Sequence, residues 1–230
     1  MKIPAGRLVW DLPLRACHWL LVAGVFGCWI TQQLGPSWFD WHVRSGCAVL
    51  VLAAFRILWG LFGTRHARFA SFVRGPKTVW AYVRAQIPGG PAVTSGVGHN
   101  PLGALGVLSL LGLLLLQAVT GLFGTDDIDN AGPLFGWVSD STSHLLTTVH
   151  RRTFSVLEVF IAVHVLAVLW HQMRGHDLIR PMWTGRKPAA DVPAPEAIAG
   201  SKLLRASLLL AAVVAILSWI LWAAPPASLY

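Results

Sequence analysis

Five runs of apolar residues, four of them near 20 residues long and one longer, dominate the chain: roughly 13–33, 42–62, 102–123, 143–172 and 203–223. At 1.5 Å per residue, a helix of about 20 residues crosses the roughly 30 Å hydrocarbon core of a bilayer. Only 12% of the 230 residues are charged, about half the share of an ordinary soluble domain. The chain is therefore read as an all-α, polytopic membrane protein. Lipid surrounds it, and polar groups inside the spans need protein partners.

The net charge of +8 looks at first like a nucleic-acid signature. Its distribution says otherwise. Of the 18 Lys and Arg, fourteen fall on one side of the spans: up to and including Arg15, in 63–101, in 173–202, and at Arg205. The other side carries Arg44, Arg151 and Arg152, with Asp40, Asp126, Asp127, Asp129 and Asp140. That asymmetry is the positive-inside pattern. It predicts a bacterial inner-membrane protein with its N-terminus cytoplasmic and its C-terminus periplasmic, and it excludes nucleic acid as the partner. The first span is expected to be retained, because bulky "WITQQLGPSWF" follows where a signal peptide would carry small residues. Cys17, Cys28 and Cys47 lack CxxC or CxxCH spacing and read as small buried residues.

Asp11 and Pro13 predict an N-cap and a first turn for the first span. Gly35-Pro36 predicts a tight turn, so the first two spans form a hairpin. Segment 63–101 reads as mostly irregular, with a short interfacial helix near Val79–Arg84. Segment 185–201, "GRKPAADVPAPEAIAGS", reads as a Pro/Ala linker. The expected organisation is a four-helix membrane domain over 7–187, then a linker and an appended fifth transmembrane helix over 188–230.

Four histidines then sort by depth. The fourth span carries His150 and His164, 14 residues apart: about 21 Å along a helix and about 40° short of four full turns. Both therefore face nearly the same way at two levels. In the antiparallel topology His42 lies at the outer level with His150, and His18 at the inner level with His164. Two imidazoles facing each other across a helical bundle are what bis-histidine ligation of a b-type haem requires. Two such haems, about 20 Å apart, would span most of the bilayer. His171 shares the face of His164 but lies about 31 Å from His150, so His164 is preferred. His66, His99 and His176 read as solvated loop residues, and His144 as interfacial.

Arg15, Arg56, Arg151 and Arg152 are candidates for pairing with haem propionates, since an intramembrane charge needs a partner. Gly46, four residues after His42, would let a flat ring approach. Gly24 and Gly27 suit either that or helix packing. Glu158 falls between the two levels, as a hydrogen-bonded carboxyl or as a proton or quinone site. Gln117 and Thr120 read as interhelical hydrogen-bonding residues.

These residues resemble the bacterial cytochrome b561 superfamily, which includes the b-type cytochrome subunit of nickel-iron hydrogenases. The resemblance rests on "VWDLPLRACHW" (9–19), His42-x-x-x-Gly46, "FRILWG" (55–60), "GHNPLGAL" (98–105), "TGLFGTDDI" (120–128), the His150/His164 pair and "LIRPMWTGRK" (178–187). It covers about 7–187; the fifth span departs from the four-helix pattern. The resemblance implies a cytochrome with two b haems, His18, His42, His150 and His164 as ligands, and electron exchange between membrane quinone and a partner such as a hydrogenase-like enzyme. The fifth span would dock a further membrane subunit or anchor the tail.

The reading that follows is transmembrane electron transfer by a dihaem cytochrome b. Its periplasmic partner is a c-type cytochrome, drawn to the acidic segment 126–140, or a hydrogenase-like enzyme. Two alternatives stand beside it. One is a quinone oxidoreductase of the superoxide-oxidase type, steered by Arg44, Arg151 and Arg152. The other is a non-haem anchor or transporter, whose usual broken helices are not evident.

Overall fold

The computed structural model describes residues 6–85 and 97–225. Eight helices appear among them: α1 (Leu12–Gln33), α2 (Phe39–Phe62), α3 (Phe69–Phe72), α4 (Pro76–Ala85), α5 (Pro101–Gly121), α6 (Asp140–Met173), α7 (Ile179–Thr184) and α8 (Leu203–Ala223). Five are long and apolar enough to cross a membrane: α1, α2 with the turn before it, α5, α6 and α8. They fall where the apolar runs predict, because a backbone in lipid has only its own carbonyls to bond and must coil. The all-α polytopic reading holds.

The chain divides into two compact units, and the division cuts across the long helices. The first comprises the described parts of Met1–Ala16, Leu58–Ser109 and Ala162–Ala206; the second comprises those of Cys17–Ile57, Leu110–Ile161 and Ser207–Tyr230.

The first unit is organised around Asp11, which is almost wholly buried. Its carboxylate accepts the Leu14 N–H at 2.7 Å, the predicted N-cap of α1. It also accepts the indole N–H of Trp59 at 3.0 and 3.1 Å and the hydroxyl of Thr64. Trp59 and Thr64 are buried too. A buried carboxylate without such donors would be strongly disfavoured; here it ties the start of α1 to the end of α2.

Around that core the unit is stitched by cations that donate to backbone carbonyls. A short strand β1 (Arg7–Leu8) pairs antiparallel with β2 (Arg186–Lys187). Arg7 donates to the carbonyls of Ala189 and Val192, Arg65 to Pro195, Arg186 to Gly6 and Arg205 to Phe62. Gly185, at φ 78°, ends α7, and its carbonyl accepts the N–H groups of Val9 and Trp10. A Cβ on Gly185 would come within 2.6 Å of the Trp10 carbonyl oxygen, so glycine is required there on both grounds.

Three expectations meet this unit. The segment read as a Pro/Ala linker is tied down by these bonds, with Val192 fully buried. Segment 63–101 is more helical than expected. Its described part carries the turn Arg65–Ala67, α3 and the ten-residue α4, which starts at Pro76, where a missing N–H is harmless. Nor are His66 and His99 solvated. Both rings pack on Trp10, at 6.3 and 4.8 Å between centroids, and His66 Nε2 lies 2.8 Å from the Glu196 carbonyl. The amphipathic Trp10 ring draws the polar rings inward.

In the second unit α1 and α2 run side by side in opposite directions. Cys17 Sγ meets the Leu52 carbonyl at 3.4 Å and His42 Nδ1 meets the Cys28 carbonyl at 3.0 Å, so the register falls in α2 as it rises in α1. A Cβ on Gly24 would come within 2.8 Å of the Val49 side chain, so this glycine serves close helix packing. The helices α5 and α6 form a second antiparallel pair, joined where the Ser143 hydroxyl donates to Phe123 O and His150 meets Gln117 O. The three cysteines are free thiols.

Replacing Asp11 by Ala leaves the Trp59 N–H and Thr64 O–H buried without their acceptor, at a cost of about 2–4 kcal/mol. Thermal unfolding of the detergent-solubilised protein is expected to start several degrees lower. Asp11→Ala combined with Trp59→Phe should cost less than the sum of the two.

Candidate functional site

A face of α6 sets the site. Ser143, His150, Leu157 and His164 recur every seven residues, so all four lie on one stripe of the helix. Ser143 and Leu157 are fully buried and His150 is half-buried in the second unit. Opposite His150, from α2, stands His42. The two ring centroids are 6.3 Å apart and the planes cross at 80°. Both rings line one cavity of about 480 Å³, walled by apolar side chains including Val25, Val43, Leu114 and Phe154. Cofactor-sized clefts run from about 300 to 1,000 Å³.

Each imidazole is held in the same way. His42 Nδ1 lies 3.0 Å from the carbonyl oxygen of Cys28 on α1; His150 Nδ1 lies 2.8 Å from the carbonyl oxygen of Gln117 on α5. A carbonyl can only accept, so both Nδ1 atoms carry the proton and both Nε2 atoms keep the lone pair. A threonine three residues after each carbonyl completes the arrangement. Thr31 Oγ1 stands 3.5 Å from His42 Nδ1, and Thr120 Oγ1 stands 3.4 Å from His150 Nδ1. Each hydroxyl donates back along its own helix, Thr31 to Gly27 O at 2.6 Å and Thr120 to Leu116 O at 2.7 Å. Thr31 and the Cys28 carbonyl were not legible as site residues. The available signal was a threonine within an apolar run, where its hydroxyl has few partners.

Two features shape the space around His150. A Cβ on Gly121 would sit 2.8 Å from the ring's Cε1 and 3.1 Å from Nδ1, so this glycine makes the seat for the imidazole. Beside it, Gln117 Nε2 lies 3.0 Å from His150 Nε2, while Gln117 Oε1 is buried with no hydrogen-bond partner among the described residues. On the other wall Gly46 lines the cavity, and a Cβ there would meet nothing within 4 Å.

A model of the prokaryotic cytochrome b561 family matches residues 9–185. The chain belongs to the prokaryotic cytochrome b561 family. No curated protein and no solved structure gives a match. A cytochrome b561 binds haem b and moves electrons across a membrane.

The His42/His150 cavity of this cytochrome b561 fits that cofactor. Two imidazoles bound to one metal from opposite sides, with metal–nitrogen bonds of about 2 Å, would put their centroids roughly 6 Å apart, and the observed 6.3 Å agrees. The proton on each Nδ1, the open wall at Gly46 and the orphaned Gln117 oxygen agree as well.

The remaining candidates are placed as follows. His18, on α1 in the second unit, is half-buried and meets the ring of Trp19 at 5.1 Å. His164, on α6, belongs to the first unit. Arg15 donates to the carbonyls of Trp10 and Trp183. Arg56 is buried in the second unit. Arg151 lines the cavity, while Arg152, one residue on, is not part of its wall. Arg44 lies over the Trp41 ring at 5.2 Å. Glu158 is exposed, about 80° around α6 from His150.

Asp126 and Asn130 stand at the cavity's edge. The Asn130 side-chain amide donates to Asp126 at 2.6 Å, and the N–H groups of Ile128, Asp129 and Asn130 converge on its other oxygen. Led by the Asn130 amide, these bonds hold the carboxyl down at about 2, against roughly 3.9 for a free aspartate. A folded value below the unfolded one stabilises the loop above the ordinary carboxylate range. That contribution fades as pH falls through the folded value. Amide-exchange protection over 126–131 should thus persist from pH 7 to about 4 and be lost between about 4 and 2, and Asp126→Asn should remove this acid step. Gly121→Ala should displace the His150 ring and lower the haem content of the purified protein, read as haem per chain.

Proposed function

We propose that this cytochrome b561 carries electrons across the bacterial inner membrane through two b haems, the outer held by His42 and His150 and the inner by His18 and His164. The pairing of His42 with His150, each with its Nδ1 proton bound by a carbonyl of a neighbouring helix, carries the proposal. For the inner haem the support is the unbroken helix α6, which runs from Asp140 to Met173 and turns His150 and His164 to one side. Gly46 would lie against the outer ring; Arg151, and by their levels Arg15, Arg56 and Arg152, would face propionates.

Bound haem supplies one-electron chemistry at iron. The chain does the rest. The Cys28 and Gln117 carbonyls polarise the imidazoles toward a more electron-rich Nε2 and fix their orientation. Apolar walls keep water from the ring and set the local dielectric. The cavity edge near Asp126 and Asn130 faces the side that the charge asymmetry assigns to the periplasm, so a periplasmic redox protein would exchange electrons there and quinone within the bilayer. Asp129 and Asp127 are exposed on that loop; Asp127 lies 3.4 Å from His144. They offer a basic partner, such as a c-type cytochrome, complementary charge. The fifth helix α8 is largely exposed, which suits lipid or a further membrane subunit.

The dithionite-reduced spectrum of the purified protein is expected to show b-type haem, with two irons per chain. His42→Ala and His150→Ala should each remove the same one, and His18→Ala and His164→Ala the other. A single haem, or loss of one common centre in His42→Ala and His18→Ala, would overturn the pairing.

A further inference from the structure

Gln117 engages both nitrogens of one imidazole. Its main-chain oxygen takes the Nδ1 proton of His150 at 2.8 Å, and its side-chain nitrogen lies 3.0 Å from Nε2 of the same ring. Because Nδ1 faces an acceptor, Nε2 holds the lone pair, and the contact is an amide N–H donating to it. The other end of the carboxamide, Oε1, is buried in the cavity wall without a hydrogen-bond partner among the described residues. A buried amide normally satisfies both ends. This one is held in place by the single bond to His150, and Gly121, one turn on, removes the Cβ that would push the ring off the helix. His42 has the same carbonyl and threonine, yet Cys28 stands where α5 carries Gln117. The two ligands are thus built alike on the Nδ1 side and differently on the Nε2 side.

We propose that Gln117 is a positioning residue that competes with iron for the Nε2 lone pair of His150. This inference rests on the assignment of His42 and His150 to the outer haem. One lone pair cannot serve an amide proton and a metal at once, so loading this site exchanges one bond for the other: the Gln117 N–H···Nε2 bond breaks as the iron–Nε2 bond forms. No proton or electron moves in the exchange. The amide keeps His150 seated and its tautomer defined, and it makes His150 the later of the two ligands to engage, after His42.

The test uses the full-length chain in nanodiscs, produced under haem limitation, with Gln117→Leu and Gln117→Ala. Leucine keeps the bulk and removes the donor; alanine removes the donor together with the bulk. In the haem-free chain, diethyl pyrocarbonate modifies imidazole at an available lone pair, read residue by residue by mass spectrometry. Both variants are expected to raise the rate at His150 roughly 2- to 10-fold, the range one neutral hydrogen bond is worth, with His42 unchanged. A merely structural role would move both histidines together. Added haemin should also load the outer site faster by a similar factor, while the inner haem serves as the check on folding. Equal His150 reactivity in the wild type and both variants, or slower loading, overturns the proposal. If instead His42→Ala and His150→Ala keep both haems, the assignment beneath it falls and the proposal falls with it. Loss of the outer haem in those two, with unchanged Gln117 variants, refutes the proposal alone.

Discussion

Inside a bilayer a polar group has only protein to bond to, and that scarcity orders this molecule at every scale. Backbone groups answer it by coiling into the five long helices. Side chains answer it locally: Thr31 and Thr120 turn their hydroxyls onto carbonyls of their own helices. The two imidazoles have no such local route. Each reaches a carbonyl on the neighbouring helix, so the bond that satisfies the histidine also fixes the tautomer and rotation that the proposed ligand role requires.

The same economy makes the two hairpins alike. On α1 a carbonyl at Cys28 and a threonine at Thr31 hold a histidine of α2; on α5 a carbonyl at Gln117 and a threonine at Thr120 hold a histidine of α6. No repeat is visible in the sequence, because a backbone carbonyl has no residue code and only the two threonines mark the pattern. The difference lies in one side chain, cysteine against glutamine, and it falls on the nitrogen where the chemistry would occur.

The first unit meets scarcity with the opposite means, one buried anion and several half-buried or exposed cations. Asp11 collects three donors, whereas Arg7, Arg15, Arg65, Arg186 and Arg205 donate to carbonyls of loops and helix ends. Cations that bond neutral carbonyls keep their net charge, so the positive excess that reads as a topology signal also serves as the stitching of the unit. Composition alone labels 185–201 as linker, since Pro and Ala offer no side-chain signal. It is carbonyls of this stretch, invisible to composition, that Arg7 and Arg65 use.

Legibility divides along the same line. Helix positions, the N-cap at Asp11 and the shared face of His150 and His164 follow from sums and spacings within one segment, which hydrophobic patterning and 3.6-residue periodicity encode directly. His42 and His150 could be matched by depth, because antiparallel spans of known length leave little freedom along the membrane normal. The rotation of each helix about its axis, the burial of His66 and His99 against Trp10, and the hold of Gln117 on both sides of one ring were decided only in three dimensions. They depend on which carbonyl lies within 3 Å of which nitrogen. Burial of apolar surface is additive along a chain and can be read from it, whereas a hydrogen bond between helices exists only once both have taken their places.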